Sequence, residues 1–321
     1  MAVKMCVCFA ASLLISLIAM PYLIHYLKRL SLKQTISEYS LPEDQKKAGT
    51  PIMGGIMFIV VPVAVTLLCN PKSIGDPDML VVLLAFAGYG LIGFTDDYLI
   101  AVKKNNDGLL PWQKFLMQLV LAVVFFLFYR SHAKLEVTIP FTNIVWHLGI
   151  FYFILVVFMF TGASNAVNLT DGMDGLAAGC SVFAVIPFMV FAVMEKRLGL
   201  AIFTASLEGA LLGYLYYNKK PAKVFMGDTG SLALGGVLAA MAMVTKRELA
   251  LIFIGGIFVI ETVCVLIQQI SVRTVHKRVF VYTPIHYAFR IKGMNEVNVV
   301  RMFWLVEAVL AAIGLLIGLN S

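Results

Sequence analysis

The sequence predicts an all-α integral membrane protein of about ten transmembrane helices with a small extracytoplasmic β-hairpin. Three observations predict it. The 321-residue chain is 60% apolar and only 13% charged. Its mean hydropathy is +0.90, far above that of a soluble composition. It also contains repeated apolar windows close to the roughly 20 residues that a helix needs to cross a bilayer core. Read as a single polytopic domain over 1–321, the chain spends its length on spans and short loops.

The first window, 5–27, follows only Lys4. Ala10 to Ser16 mimics the apolar part of a signal peptide, but the run goes on and closes with Lys28-Arg29, so it reads as a retained span. Windows at 49–69, 79–100 and 111–129 come next. The segment Lys134-Leu-Glu-Val-Thr-Ile-Pro140 then alternates apolar and polar residues, the pattern of a short strand, and predicts the hairpin. The remaining windows are 144–163, 173–193, 199–217, 229–244, 249–271 and 299–319, of which the short, Gly-rich 229–244 is the weakest. An even number of spans places both termini on one side.

Lys and Arg set the orientation. The loops 28–48, 96–114, 164–174, 218–228 and 272–301 carry 17 of them, against 8 in the opposite loops and termini. The first set is therefore expected to be cytoplasmic and the termini extracytoplasmic. Topology and anionic membrane lipid account for the net charge of +7, and no nucleic-acid partner is expected. Cys6, Cys8, Cys69, Cys180 and Cys264 are odd in number and form no CxxC pair, so they read as packing residues.

Most of the unusual polar residues fall on the expected cytoplasmic side. Asp96-Asp97 ends the third window, at the negative end of a helix dipole, where two adjacent carboxylates are disfavoured. A solvated loop start tolerates such a pair; a metal ligand beside a base for an acceptor phosphate requires one. Asp228, in Met-Gly-Asp-Thr-Gly-Ser, opens the eighth window as a helix cap, a Mg²⁺ ligand, or both. Gly227 and Gly230 let backbone approach something closely, and a phosphate at the helix start fits, although the Walker ending is absent.

In Asn165-Ala-Val-Asn-Leu-Thr-Asp-Gly-Met-Asp-Gly175, Asn165, Asn168, Asp171 and Asp174 recur every three residues. The two Asp-Gly pairs predict that the helix ends there and the chain turns. These groups suit a metal, a sugar or a base, while helix packing explains Asn165 alone equally well. Lys46, Lys47, Lys103, Lys104, Lys219, Lys220 and Lys223 surround the acids, as orientation alone also demands. Together they suit a polyanionic substrate held through Mg²⁺. His286 is either a surface residue or a phosphate donor. Glu208, Glu261, Glu307 and His147 fall in windows, isolated, where helix-to-helix hydrogen bonding explains them as well as function does.

The set GTPIMGG (49–55), GFTDDY (93–98), NAVNLTDGMDGL (165–176), FMGDTGS (225–231) and PIH (284–286) resembles the bacterial phospho-N-acetylmuramoyl-pentapeptide transferase family over nearly the whole chain. The DD, NxxNxxDGxDG and GD-GS elements are shared with the wider polyprenyl-phosphate N-acetylhexosamine-phosphate transferases. The resemblance implies transfer of phospho-N-acetylmuramoyl-pentapeptide from UDP to undecaprenyl phosphate, giving lipid I and UMP, with Mg²⁺ as cofactor, at a cytoplasmic site in the bacterial inner membrane. It implies Asp228 as principal Mg²⁺ ligand, aided by Asn168, and Asp96 as base with Asp97 beside it.

By the same resemblance, Lys47, Asn165, Asn168, Asp171, Asp174, Asn218, Phe225, Gly227 and His286 bind substrate or support the site; Gly172 is counted with its turn, and Lys104 is a candidate to replace the charge the family carries at position 100. The Asp171–Asp174 turn and Phe225 stand at the uridine. A homodimer is the candidate assembly. The chain departs from the family at Ile100, where a Lys is usual, and at Tyr287, Ala288 and Arg290, where two His and a Glu are common. The rival expectations are the same chemistry on UDP-N-acetylglucosamine or another UDP-N-acetylhexosamine and, more distantly, a secondary transporter.

Overall fold

The computed structural model describes residues 1–30, 49–103, 108–142 and 144–321. Lys47 and Lys104 lie outside these residues. In chain order the helices are α1 (Ala2–Arg29), α2 (Gly55–Cys69), α3 (Pro77–Lys103) and α4 (Pro111–Tyr129). After the strands β1 (Glu136–Thr138) and β2 (Val145–His147) come α5 (Tyr152–Thr170), α6 (Leu176–Met194), α7 (Leu198–Asn218) and α8 (Gly227–Val244). The chain ends with α9 (Leu251–Ile254), α10 (Gly256–Thr274), α11 (Ile285–Ile291) and α12 (Glu296–Leu319). Among the described residues nine helices are long and apolar enough to span a membrane, and α2 is a shorter apolar helix. The protein is an all-α, multi-pass membrane protein, and its described residues form one two-stranded antiparallel sheet.

The weakest window in the sequence is the centre of the fold. α8 packs on α3, α5, α2 and α6, and 89% of its span is buried. Its low hydropathy follows from this, because it faces protein and not lipid, and close packing needs small residues. A Cβ on Gly235 would fall 2.3 Å from the Ala163 carbonyl oxygen, and one on Gly93 of α3 would fall 2.0 Å from that of Asp228. On the flank, Gly209 and Gly213 of α7 admit α1 in the same way, the first lying against the Phe9 carbonyl.

Four expectations are corrected in detail. The window 49–69 begins extended: Phe225 N–H donates to Pro51 O at 2.9 Å, and Gly54 N–H donates to Phe225 O at 2.8 Å. His147 does not sit in a span; it is an exposed residue of β2, opposite Glu136 in the hairpin and 3.1 Å from its carboxylate. The expected loops at 96–114 and 164–174 start late, because α3 runs to Lys103 and α5 to Thr170. Asp96, Asp97, Asn165 and Asn168 are therefore helical residues. Finally, the window 249–271 breaks at Gly255.

That break is stabilised from another helix. Ile257 N–H, at the start of α10, donates to Glu307 Oε2 at 2.7 Å. Glu307 lies 11 residues into α12, which is roughly 16 Å along its axis, so α10 starts deep within the bundle. Glu261 does the same for α11, accepting Ile285 N–H at 2.6 Å and His286 N–H at 3.1 Å. A helix N-terminus carries unpaired donors and partial positive charge, and a buried carboxylate satisfies both. Two of the isolated acids in the spans are thus explained by the helix starts they hold. The third, Glu208, is buried on α7, with one oxygen lacking a partner among the described residues.

Candidate active site

The end of the bundle where α3 and α5 finish and α4 and α8 begin gathers the acids. Carboxylate oxygens of Asp96, Asp97 and Asp228 lie within 4.8 Å of one another. Asp96 and Asp97 are buried and Asp228 is half-buried. Despite adjacency in sequence, the DD pair divides its work.

Asp97 is occupied by the start of α8. It accepts Asp228 N–H at 3.1 Å, Thr229 N–H at 2.9 Å and the Thr229 hydroxyl at 2.6 Å. The dipole that makes a carboxylate pair unwelcome at the end of α3 is answered by the positive end of α8. Asp228 does not cap its own helix; Asp97 caps it from α3. Gly227 has φ +69°, and a Cβ there would fall 2.3 Å from Asp97 Oδ2. Gly230 faces Gly55 and Phe58. The close approach these glycines permit is to protein.

Asp96 and Asp228 share Lys114, the first-turn lysine of α4. Its Nζ is 3.2 Å from Asp96 Oδ1 and pairs with Asp228 Oδ2. Asp96 also accepts Leu109 N–H at 2.8 Å, and a Cβ on Gly108 would fall 2.7 Å from its Oδ1. Asn168 Nδ2 donates to Asp228 Oδ1 at 2.7 Å and to Ser231 Oγ at 2.9 Å. Asn168 thus presents its nitrogen to Asp228 and holds that carboxylate. Asn165 sits one turn deeper and donates to Gln118 Oε1 at 2.8 Å, so it joins α5 to α4.

Asp171 begins the turn beyond α5, and Gly172, Asp174 and Gly175 are each held from elsewhere in the chain. Asp174 is buried, accepts Ala222 N–H at 3.0 Å and donates its own N–H to Glu296 at 3.2 Å. Gly175 N–H donates to Asn218 Oδ1 at 3.1 Å, while Asn218 Nδ2 donates to Val224 O at 2.9 Å. Asn218 therefore ties the turn to the segment that carries Phe225. Gly172 is covered by α11: Tyr287 OH donates to Gly172 O at 3.0 Å, and His286 Nε2 lies beside the Gly172 Cα. A cavity of about 190 Å³ adjoins Asp174, between Lys219, Lys220, Glu296, Arg301 and Trp304.

Asp96, Asp97, Asn168, Gly227 and Asp228 converge on one acidic centre. Asp171, Gly172, Asp174, Asn218 and His286 form an adjoining frame. Sequence reasoning missed Lys114, which it counted only toward orientation. The available signal was its position, since a cation in the first turn of a helix opposes the dipole unless an anion answers it. It also missed Glu296, which Lys220 pairs with and which holds the backbone of Asp174.

The carboxylate oxygens converging from two helices could hold a hard cation, and an ammonium group lies between two of them. Residues 79–246, from α3 to just past α8, match the model of the family described as glycosyl transferase family 4. Fold and site thus define a membrane-embedded glycosyl transferase. More narrowly, the chain belongs to the phospho-N-acetylmuramoyl-pentapeptide-transferase family. Proteins of that name from Bacillus mycoides (strain KBAB4), Bacillus thuringiensis (strain Al Hakam) and Bacillus cereus (strain AH187) are each 47% identical to it over 308 residues, 95% of either chain.

Proposed function

We infer that Asp96, Asp228 and Lys114 form a Mg²⁺-dependent transfer centre at the cytoplasmic face of a bacterial inner membrane, with both chain termini on the other side. The reaction is that of the family: phospho-N-acetylmuramoyl-pentapeptide passes from its UDP carrier to undecaprenyl phosphate, yielding lipid I and UMP. An oxygen of the lipid phosphate forms a bond to the sugar-linked phosphorus, and the bond from that phosphorus to UMP breaks. The observation that carries this reading is the acidic trio within 4.8 Å, bridged by a lysine.

The residues fit a Mg²⁺ ion, which Asp228 and Asp96 would hold; when bound, it neutralises charge on the diphosphate and on departing UMP. Everything else is done by the chain. Lys114 contributes a fixed positive charge between the two carboxylates, suited to the spread negative charge of phosphoryl transfer. Asn168 orients Asp228. Asp96, free of helix-capping duty, is the carboxylate available to the acceptor phosphate, whereas all three hydrogen bonds of Asp97 go to α8. The turn from Asp171 to Asp174, with Phe225 across Asn218, receives the uridine, where an aromatic face stacks on a base. Since the acceptor is a lipid, the centre lies where its phosphate emerges from the bilayer.

UMP release by the purified protein, with UDP-N-acetylmuramoyl-pentapeptide and undecaprenyl phosphate, tests this directly. It is expected to require Mg²⁺ and to vanish in Asp228→Ala while that variant still inserts. Incorporation of label from UDP-N-acetylglucosamine alone rejects the pentapeptide donor.

A further inference from the structure

His286 is completely buried, yet it adjoins the turn assigned to the nucleotide-sugar. Its surroundings define the state of the ring. Glu261 Oε1 lies 2.9 Å from His286 Nδ1, and the same carboxylate accepts two backbone N–H groups, those of Ile285 and His286. An ionised carboxylate only accepts, so Nδ1 carries a proton. The other ring nitrogen, Nε2, is buried and has no hydrogen-bond partner among the described residues.

A buried acceptor left unpaired is costly, and native proteins retain few of them. This one is aimed at Gly172, where a Cβ would fall 2.4 Å from it. Gly172 is the one residue of the Asp171–Asp174 turn that offers only backbone at that spot. Its carbonyl is held by Tyr287, the neighbour of His286 on α11. Turn and ring are therefore mounted on each other, with Nε2 directly behind Gly172.

Resting on the function proposed above, we propose that Glu261 is the positioning residue for His286. It fixes the ring plane and the Nδ1–H tautomer, so that Nε2 stands as an acceptor behind the Asp171–Gly172 turn for a hydroxyl or amide N–H of the bound sugar nucleotide. Glu261 touches no substrate itself. It combines this task with capping α11, which is why it lies inside the bundle and not at the surface.

Glu261→Gln is the discriminating change. With its oxygen in place of Oε2 the Gln still accepts from Ile285 N–H but gives up the bond from His286 N–H, while its amide N–H, in place of Oε1 and facing Nδ1, forces the ring proton onto Nε2. In full-length protein labelled with ¹⁵N-histidine, with the His286 signal assigned by its absence in His286→Asn, the wild type is expected to show Nδ1 protonated and Glu261→Gln the opposite tautomer. UMP release in Glu261→Gln should fall by at least about tenfold in kcat. The double variant Glu261→Gln/His286→Asn should be no slower than His286→Asn alone. An Nε2–H tautomer in the wild type, or losses that multiply in the double variant, overturns the proposal. Because the tautomer is read without turnover, failure of the wild type to use the muramoyl-pentapeptide donor would sink the proposed function and leave the Glu261 assignment separately decided.

Discussion

Asp97→Ala separates the two roles of the DD pair. In the native fold Asp97 accepts three hydrogen bonds from the start of α8 and is only 4% exposed. Alanine leaves two buried backbone donors unpaired; the Thr229 hydroxyl rotates to another acceptor. Each orphaned donor costs about 1–3 kcal/mol. Removing a buried charge that Asp228 repels returns part of this, so a net loss of roughly 2–4 kcal/mol is expected. Asp96→Ala gives up the Leu109 bond and half of the Lys114 pairing at the edge of the bundle, roughly 1–2 kcal/mol. Thermal unfolding of both variants in detergent, alongside UMP release from the same samples, gives the comparison. Both should be inactive, but Asp97→Ala should unfold at clearly lower temperature, with Asp97→Asn between it and the wild type. An inactive Asp97→Ala as stable as the wild type would refute the capping role and return Asp97 to the chemistry.

Lys114→Met leaves Asp96 and Asp228 facing each other without their cation. UMP release is expected to fall by about a hundredfold or more, while metal titration of the variant shows Mg²⁺ bound at least as tightly as in the wild type; weaker binding would mean that Lys114 assembles the metal site. Gly227→Ala places a side chain 2.3 Å from Asp97 Oδ2 in a residue at φ +69°. The left-handed backbone alone costs roughly 1–2 kcal/mol, so the variant should lose both activity and unfolding temperature, and unchanged values of the two would show that this turn is free to relax.

The apolar windows located spans that face lipid and spans that face protein alike: 199–217 lies within one residue of α7 at each end although 78% of that span is buried. Windows such as 299–319 and 5–27 coincide closely with α12 and α1 because lipid imposes composition along the whole helix. α8 looked weakest because its neighbours, not the bilayer, dictate glycines and alanines. The break at Gly255-Gly256 carried a signal in its two glycines, but hydropathy averages over it. Within the site, the motif residues were legible as residue types. Their partners were not. A glycine announces that something comes close, and the sequence is silent on whether that is a phosphate or, as for Gly227, the carboxylate of Asp97. Lys114 was indistinguishable from lysines that merely orient the chain until α4 put it between two acids.

One physical constraint joins these cases. A helix that starts inside a bundle must find acceptors for its first N–H groups where water is scarce. α8, α10 and α11 each take a carboxylate from a different helix: Asp97 from α3, Glu307 from α12 and Glu261 from α10. Each such contact stabilises the acid and the helix start together, so neither is isolated once the fold forms. The placement also has a chemical consequence. Asp228 is the second residue of α8, and its backbone N–H is one of the donors Asp97 holds. The position of the proposed metal ligand is therefore set by a neighbouring acid. On the function proposed above, a pair of adjacent aspartates serves two ends: one carboxylate locates Asp228, and the other works opposite it.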